Sequence, residues 1–183
     1  MIHVTIGLAP KKILDMCSGG GFFLGRLLEE YRGFDQFFSF DIDFHCVKRV
    51  EGTLKHYDLL NRALPMVADA RTMPFRSKYF DIVTNNYGFS QILGYSRALR
   101  ESFRILRPNG KLIIRDKLQI IKLSSSELRS TIGFTVDELI QIHKHCDIYV
   151  DKEEFLDLAI KIGFSVDEVK DFKESFVAVL TKC

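Results

Sequence analysis

No Cys-x-x-Cys pair joins the four cysteines, Cys17, Cys46, Cys146 and Cys183, which argues against a zinc knuckle or a dithiol redox motif. No signal peptide precedes them, so free thiols in a reducing, cytoplasmic setting are expected. No apolar run approaches the roughly 18 residues that a bilayer-spanning helix needs. Charge of one sign is also missing: Lys and Arg number 26 against 24 Asp and Glu, a formal net charge of +2. That balance, with a pI near 8.3, gives no electrostatic case for nucleic acid or an anionic membrane. Internal repeats and low-complexity tracts are absent too. What remains is a chain of 183 residues, 46% of them hydrophobic, enough for one domain with a proper core.

The stretch that organises the chain is Ile-Leu-Asp-Met-Cys-Ser-Gly-Gly-Gly-Phe-Phe-Leu-Gly at 13–25. Ile13 and Leu14 read as a buried strand ending at Asp15. Gly19, Gly20 and Gly21 allow positive φ and close approach of a ligand. Leu24, Leu27, Leu28 and Tyr31 recur at i, i+3, i+4 and i+7, one face of a helix. Strand, glycine turn and helix N-terminus form a nucleotide or nucleoside pocket, because unpaired N–H groups and the helix dipole converge there. The Walker pattern fails because no Gly-Lys-Ser/Thr follows, and the dinucleotide pattern fails because residue 24 is leucine. Asp15, on the ligand side, repels a pyrophosphate and attracts an ammonium or sulfonium. The cofactor this favours is S-adenosylmethionine.

Further along, Phe37 to Asp41 reads as a second buried strand, with Asp43 as N-cap of a helix over 45–60. Asp41 stands twenty residues after Gly21, the interval at which a βαβ unit sets an acid against ribose hydroxyls. Pro65 to Asp69 is a third short strand ending in an acid, Tyr79 to Thr84 a fourth, and Lys111 to Arg115 a fifth after a helix at 98–106 and an Arg-Pro-Asn-Gly turn. Met1 to Pro10 alternates at Ile2, Val4 and Ile6 and is a short lead-in. Thr135 with Glu138, and Asp151 with Glu154, are capping boxes opening two helices, the second ending at Gly163. Phe164 to Val169 and Ser175 to Thr181 form a closing hairpin that adds an antiparallel strand. The expected fold class is α/β, a doubly wound, mostly parallel sheet in a single domain over 1–183.

These residues resemble the class I S-adenosylmethionine-dependent methyltransferases, and among them the ubiquinone/menaquinone-biosynthesis type. Four segments carry the match: 13–21, Phe-Asp-Ile-Asp at 40–43, Ala-Asp-Ala-Arg-Thr-Met-Pro-Phe at 68–75 continuing to Phe-Asp-Ile-Val at 80–83, and Leu-Arg-Glu-Ser-Phe-Arg-Ile-Leu-Arg-Pro-Asn-Gly-Lys-Leu at 99–112. The resemblance implies a Rossmann-like fold in which Asp15, Cys17, Gly19 and Gly21 surround the methionine part of S-adenosylmethionine. It further implies that Asp41 binds the ribose, Ile42 lies against the adenine, and Asp69 and Ala70 meet the adenine ring. The resemblance also implies that Asn86 and Tyr87, leaving the fourth strand, flank the sulfonium side where the acceptor enters. Members often carry glycine where Cys17 stands, so Cys17 is read as a small residue tolerated in the turn. They also usually carry helices ahead of the first strand that roof the acceptor. With about ten residues there, the acceptor site is expected to be open, or covered by the 117–150 segment, a second copy of the chain, or a partner subunit.

Methyl transfer is an in-line displacement in which the protein mainly positions and desolvates the acceptor. Tyr87, His143 and His145 are the candidates for a general base toward a hydroxyl or enol. Amino-methylating nucleic-acid enzymes of this class carry Asn/Asp-Pro-Pro-aromatic after the fourth strand. Here Asn85-Asn86-Tyr87-Gly88 has no proline, so a small-molecule acceptor is expected. The rivals are an RNA or protein methyltransferase and a cofactor-binding subunit that activates another methyltransferase.

Overall fold

The computed structural model describes residues 1–60, 63–117 and 151–183. Among these residues, seven strands form one sheet in the order β3-β2-β1-β4-β5-β7-β6. They are β1 (Lys12–Met16), β2 (Gln36–Asp41), β3 (Ala63–Val67), β4 (Phe80–Asn86), β5 (Leu106–Lys117), β6 (Phe164–Asp171) and β7 (Ser175–Lys182). β1 to β5 are parallel, and β7 runs antiparallel between β5 and β6. The chain order reverses between β1 and β4, so the crevice beyond their carboxyl ends is the topological switch point.

Two helical layers cover the sheet. On one face lie α1 (Ile2–Gly7), α2 (Phe22–Glu30) and α3 (Phe44–His56), whose Leu24, Leu27, Leu28, Val50 and Leu54 pack with Ile13, Phe34 and Phe37. On the other lie α4 (Tyr95–Ile105) and α5 (Lys152–Ile162), whose Leu99, Ile105, Phe155 and Ala159 pack on Leu14, Val83, Leu112, Ile114 and Phe176. Local signals set the ends. The Asp43 carboxylate accepts from His45 N–H, and that of Asp151 accepts from Glu153 and Glu154 N–H, as their spacing predicts. Gly163 closes α5 at a φ of 120°.

Several boundaries differ from the sequence reading. The lead-in is the helix α1, because Met1, Ile2 and Ile6 share one packed side rather than alternating across a strand. The helix expected to reach residue 60 stops at His56, where Asp58 turns to a φ of 56°. β3 ends at Val67, two residues before Asp69. β5 begins at Leu106: its pairing with β4 jumps from Phe80↔Leu106 to Ile82↔Lys111, and the expected Arg-Pro-Asn-Gly turn is the bulge between them, with Asn109 at a φ of 62°. The helix over 135–143, with His143, His145 and Cys146, lies outside the described residues.

The segment at 99–112 braces the amino-terminal end of the sheet. Arg104 donates to the Phe75 carbonyl at 2.7 Å and the Met73 carbonyl at 3.0 Å, while Glu101 accepts from Met73 N–H at 2.8 Å. Arg107 pairs with Asp81 at 2.7 Å, and Asp81 also accepts the Lys11 and Lys12 N–H groups at 2.6 and 3.0 Å.

Candidate active site

Asp15 is the last but one residue of β1, where Thr84 of β4 is its register partner. Its Oδ1 accepts the Thr84 hydroxyl at 2.8 Å, and its Oδ2 is buried with no hydrogen-bond partner. Burial pushes this carboxyl up to about 7; the Thr84 hydrogen bond pulls the other way and the Asp41 charge adds to the rise. An orphaned acid oxygen under a glycine turn is costly unless something supplies a donor or a cation.

The turn itself is stapled to β2. Ser18 N–H donates to the Phe40 carbonyl at 3.0 Å, and Gly19 N–H donates to Asp41 Oδ2 at 2.8 Å. Cys17 takes a φ of 55°, a left-handed value that explains why glycine suits this position. Gly19 has a φ of +53° and open space where a side chain would stand, with no atom within 4 Å of that point. Gly21, at a φ of 79°, leads into α2, which no side chain caps, leaving its first N–H groups facing the crevice end.

Around this turn the structure gathers the acids read from sequence, Asp15, Asp41 and Asp69, together with Asp116; all four raise the Cys17 thiol, after burial, which raises it most. A thiol raised in this way favours its protonated form, which argues against a nucleophilic role for Cys17. Asp41 spends one lone pair of each oxygen inside the protein, on Gly19 N–H and on Asp43 N–H at 3.0 Å. Asp69 is held differently: Arg71 engages both of its oxygens, Nη2 at 2.7 Å from Oδ2, and this hydrogen-bonded cation draws its pKa down. Ala70 is buried against the core, whereas Ile42 is 67% exposed, an apolar side chain left facing outward just past β2.

Beyond β4, Asn86 ends the strand and Tyr87 turns to a φ of 61°. The loop is clamped by two residues the sequence reading did not single out. The Asn85 side chain donates to the Met16 carbonyl at 3.2 Å and accepts from Gly88 and Phe89 N–H, both at 3.1 Å. Asp116, fully buried near the end of β5, accepts from Ser90 N–H at 3.1 Å and Lys117 N–H at 2.8 Å. Burial raises the Asp116 carboxyl, against those hydrogen bonds. Gly88 is required by close approach, since a Cβ there would meet that of Cys17 at 2.8 Å. A signal for Asp116 was present: Lys111 to Arg115 is another apolar strand followed by an acid, as at Asp15 and Asp41. Among the described residues no His/Cys/Asp/Glu group could hold a metal ion, and no helix is long and apolar enough to cross a membrane.

Comparison with known proteins agrees with this geometry. The chain is 26% identical over 104 residues to a ubiquinone/menaquinone biosynthesis C-methyltransferase of Serratia proteamaculans, covering 57% of this chain and 41% of that one. It is 28% identical over 118 residues to a demethylmenaquinone methyltransferase of Thermotoga maritima, covering 64% of this chain and 48% of that one. The chain thus spans less than half the length of either relative. A solved S-adenosylmethionine-dependent methyltransferase from Methanosarcina mazei shares the fold, with a TM-score of 0.77 at 19% identity over 98% of this chain and 96% of that one. The methyltransferase domain family matches residues 14–114, more than half of the chain and the span that holds Asp15, the glycine turn, Asp41, Asp69 and β4. The protein therefore belongs to the class I S-adenosylmethionine-dependent methyltransferases.

Proposed function

We propose that the chain transfers a methyl group from S-adenosylmethionine to a small-molecule acceptor, with the donor held over the carboxyl ends of β1 and β2 and the acceptor entering beside residues 86–88. The observation that carries this reading is the orphaned Asp15 oxygen under the open space at Gly19. The residues fit the donor's parts. Asp15 supplies negative charge for the ammonium and sulfonium end, where Cys17 and Gly21 keep the turn small. Asp41 retains a second lone pair on each oxygen for the two ribose hydroxyls. Ile42 offers an uncovered apolar surface to the adenine, and Asp69 with the Ala70 N–H borders the ring's polar edge.

When bound, S-adenosylmethionine supplies the methyl group as an activated electrophile. The chain's own residues then orient the acceptor and exclude water. Asn85 and Asp116 fix the path of Asn86 and Tyr87, and Tyr87 is the base candidate among the described residues, His143 and His145 lying outside them. The near-neutral charge and the proline-free Asn85-Asn86-Tyr87-Gly88 segment favour a small acceptor over nucleic acid. Calorimetry with S-adenosylmethionine and its demethylated product, followed by turnover on a panel of small acceptors, tests the reading. Binding of both nucleosides and turnover by the chain alone are expected. No binding overturns it, and turnover only with a second chain present favours a partner-subunit role.

A further inference from the structure

Of the acids at or just beyond the carboxyl ends of β1, β2 and β3, Asp69 alone is ion-paired among the described residues. Asp15 has the Thr84 hydroxyl, and Asp41 has the neutral N–H groups of Gly19 and Asp43. Arg71 closes on Asp69 from two residues further along the chain. Its Nε lies 3.0 Å from Oδ1 and 3.1 Å from Oδ2, and its Nη2 lies 2.7 Å from Oδ2. The Arg71 backbone N–H reaches Oδ1 as well, at 2.8 Å. Three donors from one residue thus take up most of the roughly four lone-pair sites of the carboxylate, and a guanidinium answers its charge.

The turn does not need this side chain to hold its shape. Backbone groups already close it, since Thr72 N–H donates to the Asp69 carbonyl at 3.0 Å and Arg71 N–H to the Asp69 carboxylate. The residues that follow are pinned from α4, where Arg104 holds the Met73 and Phe75 carbonyls and Glu101 holds Met73 N–H. Among the described residues the Arg71 guanidinium has the Asp69 carboxylate as its one hydrogen-bond partner. Both side chains are partly exposed, so the pair stands at the rim of the site, where such bonds are weak and exchange with other donors.

We propose that the Arg71 guanidinium competes with the base amino group of the methyl donor for Asp69, and so sets how tightly the chain holds adenosyl ligands and how readily the demethylated product leaves. The inference rests on the reading above in which Asp69 borders the base. An amino group gains the full use of Asp69 only where Arg71 yields, and otherwise meets a carboxylate whose charge is already compensated. The ribose end of the site grips through an uncompensated acid, Asp41, and the base end through a compensated one.

The test uses the full chain and two probes, S-adenosylhomocysteine and S-inosylhomocysteine, which carries a carbonyl where adenine has its amino group. By calorimetry, Arg71→Ala should bind S-adenosylhomocysteine about threefold more tightly than wild type, the strength of an exposed ion pair, and should gain nothing for S-inosylhomocysteine. Arg71→Gln, which keeps the reach and loses the charge, should behave as Arg71→Ala does. Stopped-flow displacement should show the gain as slower release of S-adenosylhomocysteine. In an Asp69→Asn background, Arg71→Ala should leave that affinity where it was. Unchanged or weaker S-adenosylhomocysteine binding in both Arg71 variants, or an equal gain for the two nucleosides, overturns the competition. Failure of wild type to bind S-adenosylhomocysteine at all instead overturns the methyltransferase reading on which it rests.

Discussion

Asp15 and Asp81 are both buried aspartates, on adjacent strands of one sheet, and they stand at its opposite ends. Asp81, at the amino-terminal end, is saturated: two backbone N–H groups and the Arg107 guanidinium take up its oxygens. Asp15, at the carboxyl end, has one hydroxyl partner and one bare oxygen, and its pKa is raised to about 7. The same residue type is thus a completed joint in one place and an incomplete one in the other. A parallel sheet explains the division, because the strand and helix termini that leave polar groups unpaired on the ligand side all converge at the carboxyl ends. Saturated contacts hold the amino-terminal end, and unmet polar demand is kept at the carboxyl end, where a ligand can meet it.

The comparison can be broken most severely through pH. Asp15 has a folded-state pKa above its unfolded value of 3.8, so the folded protein holds this proton more tightly. Its stabilising contribution is therefore present below pH 4 and lost as pH rises to 7, the reverse of an ordinary ion-paired acid. A rise from 3.8 to about 7 corresponds to about 4 kcal/mol across that window, at 1.36 kcal/mol per unit. Asp15→Asn removes the titration, and urea unfolding at pH 5 and pH 8 should show wild type losing stability relative to the variant at the higher pH. Equal stability loss in both proteins would place the titration elsewhere.

Asp81→Ala comes next. It strands two backbone N–H groups and the Arg107 charge, and a loss of about 3 kcal/mol in unfolding free energy is expected. Cofactor affinity of the folded fraction should stay as it was, which calorimetry below the unfolding temperature checks. Asp41→Ala should act mainly on binding, costing about 2 kcal/mol of cofactor affinity with a smaller stability loss than Asp81→Ala, because the Gly19 and Asp43 N–H groups it leaves are within reach of solvent and no core volume is lost. An affinity within about threefold of wild type would remove the ribose role. The smallest effect is at Cys17: its half-buried, acid-surrounded thiol should alkylate more slowly at pH 8 than exposed Cys183, as mass spectrometry of peptides after iodoacetamide would read.

The α/β class and most elements were legible because the chain repeats one message, an apolar run ending in an acid and followed by a helix-period segment. Asp15 and Asp41 were found in that way. Asp116 obeys the same rule and was passed over, since the fifth strand was stopped at Arg115, one residue short. α1 was misread because Ile2, Val4 and Ile6 fit a period of two as well as a short helix does, and six residues cannot distinguish them. The clamp of Asn85 on Gly88 and Phe89, and the tie of Asp81 to Lys11 and Lys12, depend on contacts between residues brought together only by folding. Periodicity carries no trace of such pairs. The acid inside Phe-Asp-Ile-Val was the one available hint, because a charge within an apolar strand must find partners.

The most direct measurement is the affinity for S-adenosylmethionine as a function of pH, in wild type and in Asp15→Asn. If the donor's cationic end completes Asp15, wild-type affinity strengthens as pH rises through about 7, by up to tenfold per unit below that point, while the variant binds weakly with no such slope. Superimposable pH profiles for the two proteins would contradict it.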